Sequence, residues 1–313
     1  MTAPRWKPFS ESPPHPKSWP TCSRYSAQLV RGYAVCGQAT IGAASLHNLI
    51  KAIGHTKAKA LDLVSRHVPA GAKVLELSCG EGILADAMLR RGYEVRGSNY
   101  SIYPQRNPAV PVDTGVDIME PLPYLDASFD CVVLSEVLQN VPDHRFVLGE
   151  IARVLRVGGV FVLTTPNMMN IKSRLHFLFT GYFKVKWMFI GHDVPLSQAF
   201  AFHNHPVHLP VLLYYLNALG FATPLVDGIY VKPKSVLLTA LFGWLVKPLT
   251  WVNVSCTEKN LKHSKASRQH YEALTSFMAL TADRLAVVAR KGEVKQALSS
   301  VSDVPEWAQA YRK

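Results

Sequence analysis

The chain has 313 residues, of which 48% are hydrophobic and 18% charged, a composition typical of a packed globular protein rather than a disordered chain. Its length allows one large α/β domain or two smaller ones. The formal net charge of +12 leaves nucleic acid, an anionic membrane surface and acidic substrates open as partners, beside a plain scatter of basic residues over solvated faces.

The opening of the chain is rich in proline and has no apolar stretch of the signal-peptide kind, so an extended or disordered arm is predicted over residues 1–39. The five cysteines are widely spaced and form no Cys-x-x-Cys pair. Such spacing indicates reduced thiols in a cytoplasmic compartment. We therefore expect a cytoplasmic protein, with peripheral association at a membrane as the alternative.

A helical pattern runs from about residue 40 to 67, and strands then alternate with helices. The predicted strands lie at 73–78, 93–98, 110–116, 129–134, 160–165, 224–231 and 284–289. The predicted helices lie at 83–91, 144–155, 170–180 and 209–219. The alternation predicts a doubly wound α/β fold with a mostly parallel sheet and helices on both faces.

These elements divide the chain into an arm, a core, an insertion, a last core strand and a tail. The predicted boundaries are 1–39, 40–231, 232–282, 283–292 and 293–313.

The insertion contains an uninterrupted apolar run at 236–246, which Lys247 and Pro248 are predicted to end. That run is well short of the ~20 residues that a membrane-spanning helix requires, so no span is predicted. The insertion carries two tryptophans and four nearby lysines, namely Trp244, Trp251, Lys232, Lys234, Lys247 and Lys259. A packed cap over the sheet edge, a segment at a membrane interface and the wall of a lipophilic pocket all stay open.

A glycine-rich turn follows the first predicted strand, in the sequence Glu76-Leu-Ser78-Cys-Gly80-Glu-Gly82. Small residues between a strand and a helix let a ligand approach the backbone closely, and an acidic residue before them suits an ammonium group. The spacing differs from the Gly-x-Gly-x-x-Gly turn that holds a pyrophosphate, which favours a cationic, phosphate-free nucleoside. Taken alone, the turn is also compatible with a purely structural connection between strand and helix that binds no ligand.

Three further motifs follow in order: Asp117-Ile118, the segment 129–138 and the helix with its glycine turn at 148–159. Together with the first turn they resemble class I, S-adenosylmethionine-dependent methyltransferases, in particular ubiquinone-biosynthesis methyltransferases and bacterial small-molecule and glycan relatives. The resemblance implies a Rossmann-like sheet of seven strands, the last antiparallel, with S-adenosylmethionine over the carboxyl ends of strands one to four. The cofactor-binding residues that it implies are Glu76, Ser78, Gly80, Gly82, Asn99, Tyr100, Asp117, Ile118, Ser135 and Glu136.

The sequence departs from the family pattern in three places. Ser78 replaces a glycine, which is tolerable if its backbone is not left-handed. Asn99 replaces the acid that binds both ribose hydroxyls, so a charge-assisted hydrogen bond worth about 1 kcal/mol or more is lost and weaker cofactor binding is predicted. Gln139 and Asn140 replace an acid and a histidine, and because Glu136 alone is a poor metal site, no metal is predicted and catechol methylation is disfavoured.

Three histidines, His203, His205 and His208, precede the helix predicted at 209–219. A metal site is disfavoured because no carboxylate or cysteine neighbours them. A loop-packing role stays open. So does His203 as the catalytic base or a substrate ligand, since a hydroxyl acceptor needs a base and histidine titrates near neutral pH. The resemblance also aligns His203 with a histidine of related methyltransferases.

The favoured function is O-methylation of a small-molecule, lipid or glycan hydroxyl. The alternative, from another class, is a degenerate fold-mate that serves as a non-catalytic partner subunit, which the departures at Ser78, Asn99, Gln139 and Asn140 keep open. Methylation of nucleic acid is disfavoured. Ser135-Glu136 stand where an Asn/Asp-Pro-Pro-Tyr motif is expected, and basic and aromatic residues do not interleave in one tract.

Overall fold

The computed structural model describes residues 43–184, 205–222, 224–261 and 264–292. The strands are β1 (Lys73–Leu77), β2 (Glu94–Asn99), β3 (Val112–Thr114), β4 (Phe129–Ser135), β5 (Leu155–Pro166), β6 (Leu225–Val231) and β7 (Ala282–Arg290). The helices are α1 (Ala43–His67), α2 (Ile83–Leu89), α3 (His144–Val154), α4 (Ile171–Thr180), α5 (Leu209–Ala218), α6 (Pro233–Leu261), α7 (Ser264–Thr275) and α8 (Phe277–Thr281). The arm predicted at 1–39 and the tail predicted at 293–313 lie outside the described residues.

The strands form one sheet of seven, in the order β3-β2-β1-β4-β5-β7-β6. The pairs among β1 to β5 are parallel, whereas β7 is antiparallel to both β5 and β6. The predicted fold class, a mostly parallel seven-stranded sheet with an antiparallel last strand, is confirmed. The third strand is shorter than predicted, spanning three residues rather than 110–116.

Both faces of the central strands are buried, which explains their largely apolar sequences. Along β1, Leu75 and Leu77 pack on the side of α3 and α5, whereas Val74 packs on the side of α1 and α2. Because successive side chains of a strand point to opposite faces, one apolar strand supplies both layers of the core. The helices on the two faces therefore sandwich the sheet, and the carboxyl ends of β1 to β5 are left as one edge.

Side-chain caps fix where the helices beside this edge begin. Asp143 accepts a hydrogen bond from the Phe146 N–H at the start of α3, and Asn170 accepts one from the Ser173 N–H at the start of α4. Each cap satisfies a backbone donor that the first helical turn leaves free. Gly181 then ends α4 in a left-handed conformation, with φ of 73°.

The insertion corrects the prediction that Lys247 and Pro248 end the apolar run. Helix α6 continues through Pro248 for 29 residues. A proline inside a helix removes one hydrogen bond and costs about 3 kcal/mol, and here the helix is supported by packing against α4, α7 and α8. Its section Pro233–Cys256, 24 residues long, is long and apolar enough to cross a membrane by length and composition alone. The prediction of a run too short to span was therefore wrong.

The three cysteines among the described residues, Cys79, Cys131 and Cys256, are free thiols. Burial raises the pKa of the Cys79 thiol to about 12 and also raises that of Cys131. Both side chains are buried, Cys131 in β4 and Cys79 in the turn after β1, so they act as small apolar core residues.

Candidate functional site

In the glycine turn after β1, every second residue from 78 to 82 has a left-handed backbone. Ser78, Gly80 and Gly82 have φ values of 55°, 60° and 70°. The Cys79 N–H donates to the Ser98 carbonyl at 3.0 Å, which holds the turn against the end of β2. The condition under which serine would be tolerated at position 78, a backbone outside the left-handed region, is therefore not met, and this residue is strained where the family carries glycine.

Glu76 lies in β1 directly before the turn and is 2% exposed. Burial raises its pKa to about 7, while Lys57 of α1 and the backbone N–H of Ala85 favour the ionised form. Its Oε2 atom is buried without a hydrogen-bond partner. Buried polar atoms are normally satisfied, so this oxygen is suited to a cationic group that enters the turn from outside.

Asn99 ends β2 and is also 2% exposed. Its Oδ1 accepts the Gly80 N–H at 2.8 Å, and its Nδ2 donates to the Gly80 carbonyl at 2.9 Å. Both polar atoms of the side chain are therefore engaged with one peptide of the glycine turn. The oxygen that would meet a ribose hydroxyl is occupied in this arrangement, and the predicted ribose contact stays a prediction.

The loop between β2 and β3 also lies against the turn. Gln105 Nε2 donates to the Gly80 carbonyl at 2.9 Å, and the Arg106 N–H donates to the Glu81 carbonyl at 2.9 Å. A Cβ added to Gly82 would lie only 2.7 Å from Gln105 Oε1. Gln105 thus covers one side of the glycine turn, and any ligand resting on Gly82 must share that space with its amide.

The predicted adenine-side residues come together at the ends of β2 and β3. The Gly115 N–H donates to the Tyr100 carbonyl and the Val116 N–H to the Asn99 carbonyl, each at 3.1 Å, so Asp117 and Ile118 follow directly beside the end of β2. Ile118 is buried, whereas Tyr100 is 63% exposed. An aromatic ring and an aliphatic side chain near an acid are the groups that an adenine ring would need for stacking and hydrogen bonding.

The end of β4 carries Ser135 and Glu136. Ser135 Oγ lies 2.9 Å from Thr164 Oγ1 of β5, and Glu136 has a left-handed backbone with φ of 59°. Burial raises the pKa of Glu136, and Arg284, whose Nε lies 3.5 Å from Glu136 Oε2, lowers it. Glu136 Oε1 is buried without a hydrogen-bond partner. Strained, incompletely satisfied residues of this kind cluster at functional sites.

Charged residues that the sequence predictions did not include gather beside Glu136. Because β7 is antiparallel, its first residues lie at the carboxyl edge, where Asp283 forms ion pairs with Lys172 of α4 and with Lys232. An antiparallel last strand was itself part of the predicted fold. That prediction was the signal that could have placed Asp283 and Arg284 at this edge.

His203, the predicted catalytic residue, lies outside the described residues. The His205 N–H donates to the Gln139 carbonyl at 3.1 Å, which ties the segment before α5 to the end of β4. Burial and the nearby charge of Arg174 lower the pKa of His208. His208, three residues after this contact, is therefore a described histidine whose pKa lies below the ordinary value.

Among the described residues, no group of three or more His, Cys, Asp and Glu side chains is arranged to hold a metal ion. S-adenosylmethionine, in contrast, fits the residues present. Its ammonium group would supply the partner that Glu76 Oε2 lacks, and the space where a Gly80 side chain would stand is open, whereas Gln105 lies beside Gly82. The predicted cofactor residues within the described part of the chain all lie at the carboxyl ends of β1 to β4.

Comparison with known proteins gives the same assignment for this part of the chain. Residues 75–163 match the family model described as "Methyltransferase domain". A Mycolicibacterium smegmatis protein named "Probable S-adenosylmethionine-dependent methyltransferase" is 31% identical over 169 residues, covering 52% of this chain and 57% of that protein. The ubiquinone biosynthesis O-methyltransferase of Chromobacterium violaceum is 33% identical over 124 residues, covering 37% and 53%.

A solved S-adenosylmethionine-dependent methyltransferase from Archaeoglobus fulgidus is similar with a TM-score of 0.44 and 14% identity, covering 75% of this chain and 94% of that one. The chain spans a little over half the length of the two curated relatives, 57% and 53%. The family match begins within β1 and ends within β5, so it contains the glycine turn and the ends of β2 to β4. Residues 75–163 therefore carry the methyltransferase domain that this family model describes.

Proposed function

We propose that the protein is an S-adenosylmethionine-dependent O-methyltransferase that acts on a hydroxyl of a small-molecule, lipid or glycan acceptor. The observation that carries the proposal is the left-handed glycine turn at Gly80 and Gly82 above the buried, unsatisfied carboxyl of Glu76. This arrangement lies inside the segment that matches the methyltransferase family. It suits a ligand with an ammonium group and no phosphate.

S-adenosylmethionine supplies a methyl group already activated by its sulfonium centre, so positioning of the acceptor provides most of the rate enhancement. Glu76 would bind the amino group. Asp117 and Ile118 would contact the adenine from the end of β3. Ser135 and Glu136 would close the site from the end of β4, where Arg284 Nε lies 3.5 Å from Glu136 Oε2.

A hydroxyl acceptor must lose its proton, which requires a base near the methyl group. His203 is the predicted base. His208 is a second candidate, because burial and Arg174 lower its pKa and keep its imidazole neutral and able to accept a proton at pH 7. If His208 is the base, the rate of methyl transfer should rise with pH only below the ordinary histidine value of about 6.5 and be flat above it.

Isothermal titration with S-adenosylmethionine and with S-adenosylhomocysteine tests the cofactor assignment. Binding of both to the wild type, and loss of at least about tenfold in affinity in Glu76→Ala, are expected because one charge-assisted hydrogen bond is removed. Exposed Glu81→Ala in the same turn is the matched control and should change the affinity little. Failure of the wild type to bind either ligand would contradict the proposal.

Transfer of a labelled methyl group to a panel of hydroxylated acceptors tests the reaction. His203→Ala and His208→Ala are compared with His67→Ala, in which the replaced side chain lies at the end of α1. The base variant should lose activity by about 100-fold while retaining cofactor affinity. Full activity in both variants would exclude His203 and His208 as the catalytic base.

The second candidate function is a non-catalytic subunit of the same fold, and two contacts favour it. The amide groups of Asn99 and Gln105 both rest on the Gly80 peptide, where a cofactor is expected. A protein that binds neither cofactor nor product in the titration, yet folds normally, would support this second function.

A further inference from the structure

The two faces of helix α6 have the opposite polarity to those of an ordinary surface helix, whose buried face is apolar and whose exposed face is polar. Its inner face carries small or hydroxyl residues, among them Ser235 and Gly243, both buried. Its outer face is apolar, and Trp244 at its centre is 71% exposed. The exposed apolar residues of the helix are Val236, Leu237, Leu241, Phe242, Trp244, Leu245, Leu249, Trp251 and Val252.

The last turn of α4 and the residues just after it also expose apolar side chains. Helix α4 packs against α6, and Phe179 near its end is 81% exposed. Phe177 stacks on Phe183 with ring centroids 4.4 Å apart, and Leu178 and Tyr182 are exposed beside them. We call the outer faces of these two helices, residues 177–182 and 236–252, the α4–α6 surface.

A contiguous apolar face of this extent is rare on a soluble monomer and marks an interaction site. The charge around it identifies the partner. Lys234 and Lys247 are exposed on the same helix, and the whole chain carries a net charge of +12. Tryptophan and lysine bordering an aliphatic face are characteristic of segments that lie at the boundary between lipid headgroups and acyl chains.

We propose that the α4–α6 surface docks on an anionic lipid bilayer, with α6 lying in the plane of the interface. Its aliphatic side chains and tryptophans would enter the acyl boundary, while the lysines contact anionic headgroups.

The connections of α6 favour this orientation over a transmembrane one. The helix leaves from the end of β6 and the chain returns through α7 and α8 to β7, which pairs with β6 in the same sheet. Helix α7 packs along α6 and carries the exposed pair Arg268 and Glu272. If α6 crossed the bilayer, these charges would be carried into hydrocarbon at high cost.

The docking surface adjoins the acceptor edge of the sheet. Lys232, immediately before α6, is paired with Asp283, which precedes Arg284 of the site. Resting on the proposed function, this placement favours an acceptor drawn from the lipid phase. Docking itself is independent of that function and has its own readout.

Vesicle sedimentation of the full chain tests the docking. Vesicles of phosphatidylcholine alone are compared with vesicles containing phosphatidylglycerol, at low and high salt. The wild type should bind the anionic vesicles more tightly, and salt should weaken binding. Lys234→Gln with Lys247→Gln should lower the partition coefficient on anionic vesicles about fivefold per lysine and change binding to neutral vesicles little.

Leu241→Gln with Trp244→Gln should lower binding to both vesicle types by at least about tenfold, because apolar area is no longer buried. Leu125→Gln is the matched control, since Leu125 is 82% exposed and lies before β4, outside the surface. Circular dichroism and cofactor titration establish that each variant is folded. Wild type that stays in the supernatant with anionic vesicles, or a folded apolar variant that sediments like wild type, overturns the proposal.

Light scattering of the protein without lipid completes the test. A monomeric wild type supports the proposal. A dimer that the Leu241→Gln and Trp244→Gln variant converts to monomer would assign the surface to a second copy of the chain and overturn docking on lipid. Loss of vesicle binding with retained cofactor binding leaves the proposed function untouched, so the two failures are distinguishable.

Discussion

Replacing Asn99 by aspartate restores the acid that related methyltransferases carry after the second strand, yet the structure predicts a loss. In the wild type, Nδ2 donates to the Gly80 carbonyl at 2.9 Å and Oδ1 accepts from the Gly80 N–H at 2.8 Å. Asn99→Asp keeps the hydrogen bond from the Gly80 N–H. At the position of Nδ2 it places a carboxylate oxygen, which faces the Gly80 carbonyl as a second acceptor. One lost hydrogen bond costs about 1 kcal/mol, and a buried acceptor left unsatisfied adds about 1–3 kcal/mol.

We therefore expect Asn99→Asp to be destabilised by about 2–4 kcal/mol at pH 7. The pKa of the introduced carboxyl is raised in the folded state, because burial and the facing carbonyl disfavour its charge. Its protonated form can donate to the Gly80 carbonyl, so the destabilisation should be small below about pH 4, the ordinary aspartate value, and grow as the pH rises.

Urea unfolding at pH 4, 5.5 and 7 measures this dependence, with Asn140→Asp as the control because Asn140 is exposed and the charge change is the same. Cofactor titration should show no gain in affinity for Asn99→Asp. A variant as stable as wild type at pH 7 that binds S-adenosylmethionine more tightly would refute the reasoning, since it would place the side chain toward the ribose rather than on Gly80.

Four further predictions concern the turn, the sheet and helix α3. Burial raises the pKa of Glu76 from 4.5 to about 7, so its contribution to stability is present below pH 4.5 and lost as the pH rises to 7. In Glu76→Gln this loss, about 3 kcal/mol in urea unfolding, should disappear, and an unchanged pH dependence would contradict it. Ser78→Gly should raise stability by about 1 kcal/mol by relieving the left-handed serine; a lower melting temperature would argue against strain there. Gly159→Ala should destabilise by about 2 kcal/mol, because its Cβ would lie 2.8 Å from the Arg156 carbonyl. Gly149→Ala, with open space around it in α3, should stabilise by about 0.5–1 kcal/mol, and equal effects of the two alanines on unfolding would count against the packing argument.

The fold was largely predictable because its signals are local. Strands β1, β4 and β5 are largely apolar segments bounded by turn residues, and such segments mark strands buried on both faces. The error at Pro248 has the same origin. Proline is a reliable local signal for the end of a helix, but packing of α6 against its neighbours outweighs the cost of one missing hydrogen bond.

The candidate site was predictable only as a set of positions. The motifs place Glu76, Asp117 and Ser135 at one edge of the sheet, as the structure has them. The motifs carry no information on the orientation of a side chain or on its hydrogen-bond partner. The pairing of Asn99 with Gly80 and of Arg284 with Glu136 joins residues far apart in sequence, and each depends on rotamers that only the assembled sheet selects.

Helices α6, α7 and α8 all lie between two neighbouring antiparallel strands of the sheet. β6 and β7 form a hairpin in space, and the residues between them are, topologically, one enlarged hairpin loop. The entropic cost of closing such a loop rises only logarithmically with its length, by about 0.6 kcal/mol per doubling. The strand pair can therefore accept long or short connections with little penalty, so the connection could be lengthened or shortened while the glycine turn after β1 is left unchanged.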